Sequence, residues 1–295
     1  MSAAARTIGV TLGDAAGIGP EIIAAALHSG RLDDGFAYRV IGSRDGAESG
    51  RPTADTARAA RAALEESARL VLAGEIAAVV TGPIHKARMH AIGFDFPGQT
   101  EFFATRARVE NFAMCLTGGS LAVALVTAHM PLNAVAANLS AREIIRVGEL
   151  FATFLRRRLD RAPRLAIAGL NPHAGESGAL GREEIEIIEP AVDLLRQELG
   201  EAAECIGPLP PDTVFHRAAR GEFDGVLCMY HDQGLIPLKL HAFDEGVNIT
   251  LGLPFPRTSP DHGTAFELAG KSLARPDSMI AAINLAAQLA RHAVR

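Results

Sequence analysis

The sequence has no long apolar run, no basic block and no paired cysteines, and each lack removes a class of function. No apolar stretch approaches the length of a bilayer span. MSAAART passes directly into a strand-like run without the apolar core of a signal peptide, so the expectation is a soluble cytoplasmic protein. A net charge of −5 with no basic patch argues against nucleic acid or a membrane surface as partner. Cys115, Cys205 and Cys228 are scattered and odd in number, without a C-x-x-C pair. They read as buried thiols in a reducing compartment, not as disulfides or zinc ligands. The Walker loop, the G-x-G-x-x-G fingerprint and the G-x-S-x-G elbow are also missing. So are internal repeats, low-complexity tracts and an obvious linker.

What is present suits a large core. The chain has 295 residues, 48% apolar and 21% charged, enough for one big α/β domain or two intimate lobes. Short apolar runs predict strands at 7–12, 38–42, 76–80, 121–127, 165–170 and 225–228. Helical periodicity predicts helices over 53–75, from Ser140 with a capping box to Glu143, over 182–199 with a break near Pro190, and from Pro276 onward. GDAAGIGPE after the first strand reads as a tight turn into a helix opened by Pro20 and Glu21, with Asp14 the residue in it most worth testing. Asp212 is a plausible cap or site residue. Alternating strands and helices imply a largely parallel sheet covered on both faces, with ligands beyond the carboxyl ends of the strands.

His129, His173 and His231 each follow a separate predicted strand. An isolated histidine is more often a hydrogen-bonded loop residue than a ligand. Three on one rim bring a catalytic metal reading level with that alternative, without naming the ion. The stretch from Met229 to Ala265 adds Asp232, then Lys239, Asn248 and Arg257 at nine-residue steps, and closes on Asp261-His262-Gly263-Thr264. Ordinary surface salt bridges would explain any one of them. As a group they suit a small anionic, hydroxylated ligand. His85, His90, His216, His241 and His262 are weaker candidates, His90 and His241 being read as structural or surface residues. Lys86, after a strand, leans toward anion binding over a snorkelling role.

A set of ordered segments resembles the PdxA family, 4-hydroxythreonine-4-phosphate dehydrogenases and close relatives: GDAAGIGPE (13–21), TGPIHK (81–86), FPGQTEFFA (96–104), TAHMPL (127–132), GLNPHAGESG (169–178), GPLPPDT (207–213), MYHDQG (229–234), LKL (238–240), GVNITLGLP (246–254) and RTSPDHGTAFELAG (257–270). The resemblance implies a two-lobed α/β fold similar to isocitrate and isopropylmalate dehydrogenases, with a cleft between lobes. The boundaries expected are 1–98 plus 252–295 for the first lobe and 99–251 for the second. It implies a homodimer with a shared active site, His129, His173 and His231 binding one divalent metal such as zinc, magnesium or cobalt, and Thr100, Lys239, Asn248 and Arg257 contacting a phosphorylated substrate. NAD or NADP would serve without the Rossmann fingerprint, at residues the sequence does not assign. Three departures stand out. Gln99 replaces the usual histidine, Ala15 replaces the usual proline, and the region between Gly35 and Glu75 is shorter than usual.

The activity expected is metal-assisted oxidation of 4-phosphohydroxy-L-threonine to a 3-oxo acid that decarboxylates, in pyridoxal phosphate biosynthesis. An amide cannot shuttle a proton, so either Gln99 only positions substrate or the substrate differs. Lys239, Asp232 or a metal-bound water would take the hydroxyl proton. Alternatives within the family are oxidation of 4-phospho-D-threonate or 4-phospho-D-erythronate, or a dihydrodiol dehydrogenase. Outside it stand a metal-dependent aldolase or hydrolase without NAD, and a non-catalytic phosphate-binding protein.

Overall fold

The computed structural model describes residues 7–291. The chain runs β1 (Thr7–Thr11), α1 (Gly19–His28), β2 (Ala37–Ile41), α2 (Ala54–Leu72), β3 (Ala78–Thr81), α3 (Lys86–Ala91), α4 (Gln99–Ala107) and β4 (Ala113–Gly118). It continues through β5 (Leu121–Leu125), α5 (Val135–Asn138), α6 (Ala141–Leu159), β6 (Arg164–Ala168), α7 (Glu189–Leu199) and β7 (Glu204–Leu209). The last third is α8 (Pro211–Ala219), β8 (Gly225–Cys228), α9 (His231–Ala242), β9 (Val247–Leu251), β10 (Arg257–Pro260) and α10 (Asp277–Arg291).

Two compact units result, Met1–Glu110 with Val247–Arg295, and Asn111–Gly246. The division falls after 110 and after 246, where the sequence places it after 98 and after 251; the outermost residues of the expected first lobe, 1–6 and 292–295, lie outside the described residues. Packing explains the shift. Phe102 and Phe103 of α4 are buried in the first unit's core with Leu64, Val79 and Phe255. β9 is held to β10 by an antiparallel ladder, Ile249 opposite Thr258.

In the first unit the strand order is β2-β1-β3-β10-β9, parallel except for β9. α2 covers it with Ala57, Ala60, Leu64 and Ala68, spaced for one helical face. Thr53 starts that helix with a reciprocal capping box to Thr56. In the second unit the order is β4-β5-β8-β6-β7, parallel except for β4. The expected break near Pro190 is a π-helical turn, Glu184–Ile188, after which Pro190 sits in the first turn of α7.

Several elements go beyond the sequence pattern. β3 lies one or two residues later than the predicted run. β4, β7, β9 and β10 are not foreseen by it, nor is α9 as a helix. α9 hides because Gly234 and Pro237 fall inside it and because both its faces carry apolar residues.

The GDAAGIGPE turn serves close packing. Gly13 has φ +70° and its missing Cβ would stand 2.2 Å from the Pro83 carbonyl oxygen, while one on Gly19 would meet the Leu12 oxygen at 2.1 Å. Asp14 is 2% exposed and its carboxylate accepts from Ala16 N, which closes the turn.

Candidate active site

In the first unit, alternation along paired strands brings polar side chains to one sheet face. Arg257 stands opposite Val79 in the parallel β3–β10 ladder, and Asn248 opposite Ser259 in the antiparallel β9–β10 ladder. A period of two therefore places Thr81, Asn248, Thr250 and Arg257 on the same face. Arg257 is 3% exposed. Its Nη2 donates to Thr81 Oγ1 at 2.5 Å and to Gln99 Oε1 at 3.3 Å, and its Nη1 donates to Thr250 Oγ1 at 3.3 Å. Its Cζ lies 5.8 Å from the centre of the Phe103 ring. All the hydrogen-bond acceptors are neutral, and Nε is buried with no partner. Burial pushes the guanidinium down to about 10, only partly offset by Glu101. A buried cation without a bonded anion is costly, so this cluster would suit a negatively charged ligand.

α4 opens onto the same group. Gly98 gives it no side-chain cap, leaving its first turn suited to an anion. Thr100 Oγ1 lies 3.3 Å from Thr250 Oγ1. Gln99 donates through Nε2 to the Gly82 carbonyl at 3.2 Å while its oxygen receives Arg257, so both ends of the amide brace the arginine. The buried Asn248 Oδ1 has no partner, an acceptor waiting for a ligand donor. A Cβ on Gly98 would lie 3.9 Å from Lys86 Nζ, which sets an ammonium beside the start of α4.

In the second unit, the His129 and His231 rings stand 5.5 Å apart, centre to centre. They line a cavity of about 380 Å³ with Tyr230, Asp232, Met130 and Leu132. His231 Nδ1 donates to Asp232 Oδ1 at 2.7 Å, and His173 Nδ1 lies 3.3 Å from Glu176 Oε2. A carboxylate at Nδ1 leaves Nε2 as the ligating nitrogen, the arrangement found behind metal-binding histidines, so these donors fit a divalent cation. The chain brings His129 and His231 together. It does not add His173, since among the described residues no three His, Cys, Asp or Glu side chains form a metal-holding group. His173 begins a left-handed turn in which His173, Ala174, Glu176 and Ser177 all have positive φ. Lys239 is half-buried in the last turn of α9.

The minor candidates separate clearly. His85 stacks on Phe266, and His241 is hydrogen-bonded to Ser120. Asp212 lies in the first turn of α8, His216 in its last turn, and His90 is exposed on α3. His262 Nε2 is buried without a partner. Glu176 joins the candidate residues locally, three positions after His173, whereas Thr81 and Thr250 join them only through tertiary structure. No spacing signal marks these two threonines, because each contacts a residue whose position the fold decides. The three cysteines are free and buried, and burial raises each thiol. No described helix is long and apolar enough to cross a membrane.

Fold and residues together define an α/β protein with a buried arginine set for an anion and paired imidazoles suited to a cation. The chain belongs to the PdxA family: the family profile described as pyridoxal phosphate biosynthetic protein PdxA matches residues 22–286. A relative from Bradyrhizobium diazoefficiens, named 4-hydroxythreonine-4-phosphate dehydrogenase, is 46% identical over 293 residues, covering 97% of this chain and 84% of its own. The crystal structure of a 4-hydroxythreonine-4-phosphate dehydrogenase from Klebsiella pneumoniae matches with a TM-score of 0.81 and 37% identity over 97% of this chain and 99% of that one. A terephthalate 1,2-cis-dihydrodiol dehydrogenase from Burkholderia xenovorans matches with a TM-score of 0.69 and 27% identity over 96% and 98%. The chain is thus an oxidoreductase with the mixed α/β dehydrogenase fold that the resemblance implies.

Proposed function

We propose that this chain oxidises 4-phosphohydroxy-L-threonine with NAD or NADP and a divalent metal, forming a 3-oxo acid that loses CO2 on the way to pyridoxal phosphate. Arg257 carries the reading: a buried guanidinium held by neutral groups, with a spare N–H, needs an anion such as the substrate phosphate. Thr100 and the first turn of α4 bind the remaining phosphate oxygens. Asn248 Oδ1 accepts from a substrate hydroxyl or amine. The relatives' names support the substrate and, through the word dehydrogenase, a nicotinamide; they leave the aldolase, hydrolase and non-catalytic readings without support.

When bound, a cation supplies Lewis-acid charge at the substrate oxygens and the nicotinamide a hydride acceptor. His129 and His231 would hold that cation, and His173, outside their group within one chain, would join it in the shared site of the dimer. Asp232 keeps the His231 ring turned so that Nε2 faces outward. The hydroxyl proton passes either to Lys239, whose Nζ accepts only as the neutral amine, or to the Asp232 carboxylate as the carbinol carbon gives up its hydride to the nicotinamide.

The protein acts as a homodimer with a shared active site. α9 supports this by leaving Ile236 and Leu240 exposed at 64% and 88%, one helical turn apart, with Phe243 exposed at 73% just beyond its end. Free buried thiols suit the cytoplasm.

The test is NADH formation from 4-phosphohydroxy-L-threonine with zinc, magnesium or cobalt added. Turnover that falls at least a hundredfold in Arg257→Ala supports the assignment; no reduction of NAD or NADP with any of these ions sinks it. Gln99 favours one second reading, oxidation of 4-phospho-D-threonate or 4-phospho-D-erythronate. Its amide is engaged at both ends and has no titratable proton, so the cluster has no titrating group where the family usually places histidine. Comparing kcat/KM across the three substrates decides between them.

A further inference from the structure

Gln233 is polar, 6% exposed, and used by none of the chemistry above. It sits in the first turn of α9, two residues after His231. Its Oε1 accepts from Met229 N at 2.7 Å and its Nε2 donates to the Gly169 carbonyl at 2.7 Å. The Met229 carbonyl in turn accepts from Thr127, through Oγ1 at 2.7 Å and N at 3.2 Å. Beyond Gly169, the buried Glu184 takes Leu170 N at 2.7 Å and Asn171 N at 2.8 Å on one oxygen, and Asn171 Nδ2 at 2.9 Å on the other. The chain of bonds touches the ends of β5, β8 and β6, just ahead of His129, His231 and His173.

We infer that Gln233 is a positioning residue whose side-chain amide ties these three strand ends together and so sets where the histidines stand. Backbone bonds carry the β5–β8 ladder past the strand ends, Val126 N to Cys228 O at 2.9 Å and Thr127 N to Met229 O at 3.2 Å, and the Gln233 side chain carries the tie across to Gly169 after β6. Gln233 spans two of these ends with one rigid amide, and Met229 passes the tie on to Thr127. Glu184, placed on the π-helical turn ahead of α7, clamps the backbone at 170–171 where the left-handed turn bearing His173 begins. Both anchor groups are buried, so water does not replace a lost bond.

The inference rests on the reading that these histidines bind a divalent ion, and the experiment separates the two. Zinc and cobalt are titrated against a competing chelator into wild type, Gln233→Met and Gln233→Glu, with thermal melts of each metal-free protein. Met keeps the length and loses both bonds. Glu keeps the acceptor for Met229 but sets an oxygen against the Gly169 carbonyl. Loss of a group bonded directly to a metal-ligating histidine weakens metal binding by about 10- to 100-fold; Gln233 acts through the backbone, one step further out, so a loss of about tenfold is expected in Gln233→Met, with an altered visible spectrum of bound cobalt. A smaller loss is expected in Gln233→Glu. Variants that melt earlier yet bind both ions as tightly as wild type, with unchanged cobalt spectra, would overturn the positioning role and leave only a structural one. Should Gln233→Met not fold, Thr127→Val and Gln233→Glu carry the same comparison. Wild type that binds neither ion overturns the histidine reading itself, and this inference with it.

Discussion

Arg257 is a side chain costly to the ligand-free protein and, on the proposed reading, needed by the bound one. Its charge is buried among hydroxyls, an amide and a phenylalanine ring, none of which neutralises it. Replacing such a group by an apolar residue of similar length is often neutral or stabilising. Arg257→Met is therefore expected to melt at or above the wild-type temperature without ligand while losing phosphate binding. A melt several degrees lower would show that the guanidinium is already paid for by protein contacts. Asp224 works in the opposite sense. Its carboxylate is desolvated, which raises its pKa, but the Arg161 and Arg164 bonds outweigh this and hold it well below the usual carboxylate range. A folded pKa below the unfolded one means the contribution is present above about pH 4 and is lost as pH falls toward the folded value. Melting temperature measured from pH 6 to pH 2 should fall less steeply in Asp224→Asn than in wild type. Equal slopes would remove Asp224 from the account of acid sensitivity.

At the scale of elements, α9 combines three tasks that its sequence blends into one. Leu235 and Leu238 pack into the second unit's core, His231 and Asp232 line the cavity, and Ile236 and Leu240 face outward. Burying one leucine at an interface contributes roughly 2 kcal/mol, so Leu240→Asp should weaken self-association more than tenfold. Sedimentation velocity across a concentration series checks this; a dimer of unchanged affinity would move the interface elsewhere. The same element shows what pattern reading misses. The histidine and aspartate after a buried run are legible, because a strand end needs only four apolar residues to announce itself. The helix they begin is not, since a proline, a glycine and apolar residues on both faces erase the period. β10 is hidden for a similar reason, whereas β9, VNITL, alternates apolar and polar residues and its period is there to read. Arg257, a buried charge in a four-residue strand, breaks the alternation by which short strands are recognised.

Across the whole molecule, the anion pocket and the imidazole pair are each built within one compact unit from residues far apart in sequence. Thr81, Gln99, Thr250 and Arg257 span 176 positions from the first to the last. A ligand that fills the pocket should stabilise the fold by mass action, about 2.7 kcal/mol at a hundred times its dissociation constant. The phosphorylated substrate is expected to raise the melting temperature by a few degrees. The dephosphorylated hydroxy acid should do much less, and Arg257→Met should show no shift with either. An equal shift from both acids in wild type would detach the phosphate from Arg257.

The sequence by itself determined the α/β class, the family, and the histidines and cations at issue, because these follow from local periodicity and from motifs carried in order along the chain. Tertiary structure alone decided which of them meet. It joined Gln99 to Arg257, set His129 beside His231 while leaving His173 out of their group, and turned Gln233 and Glu184 into anchors. Strand register and helix entry are properties of long-range pairing, and no local spacing encodes them.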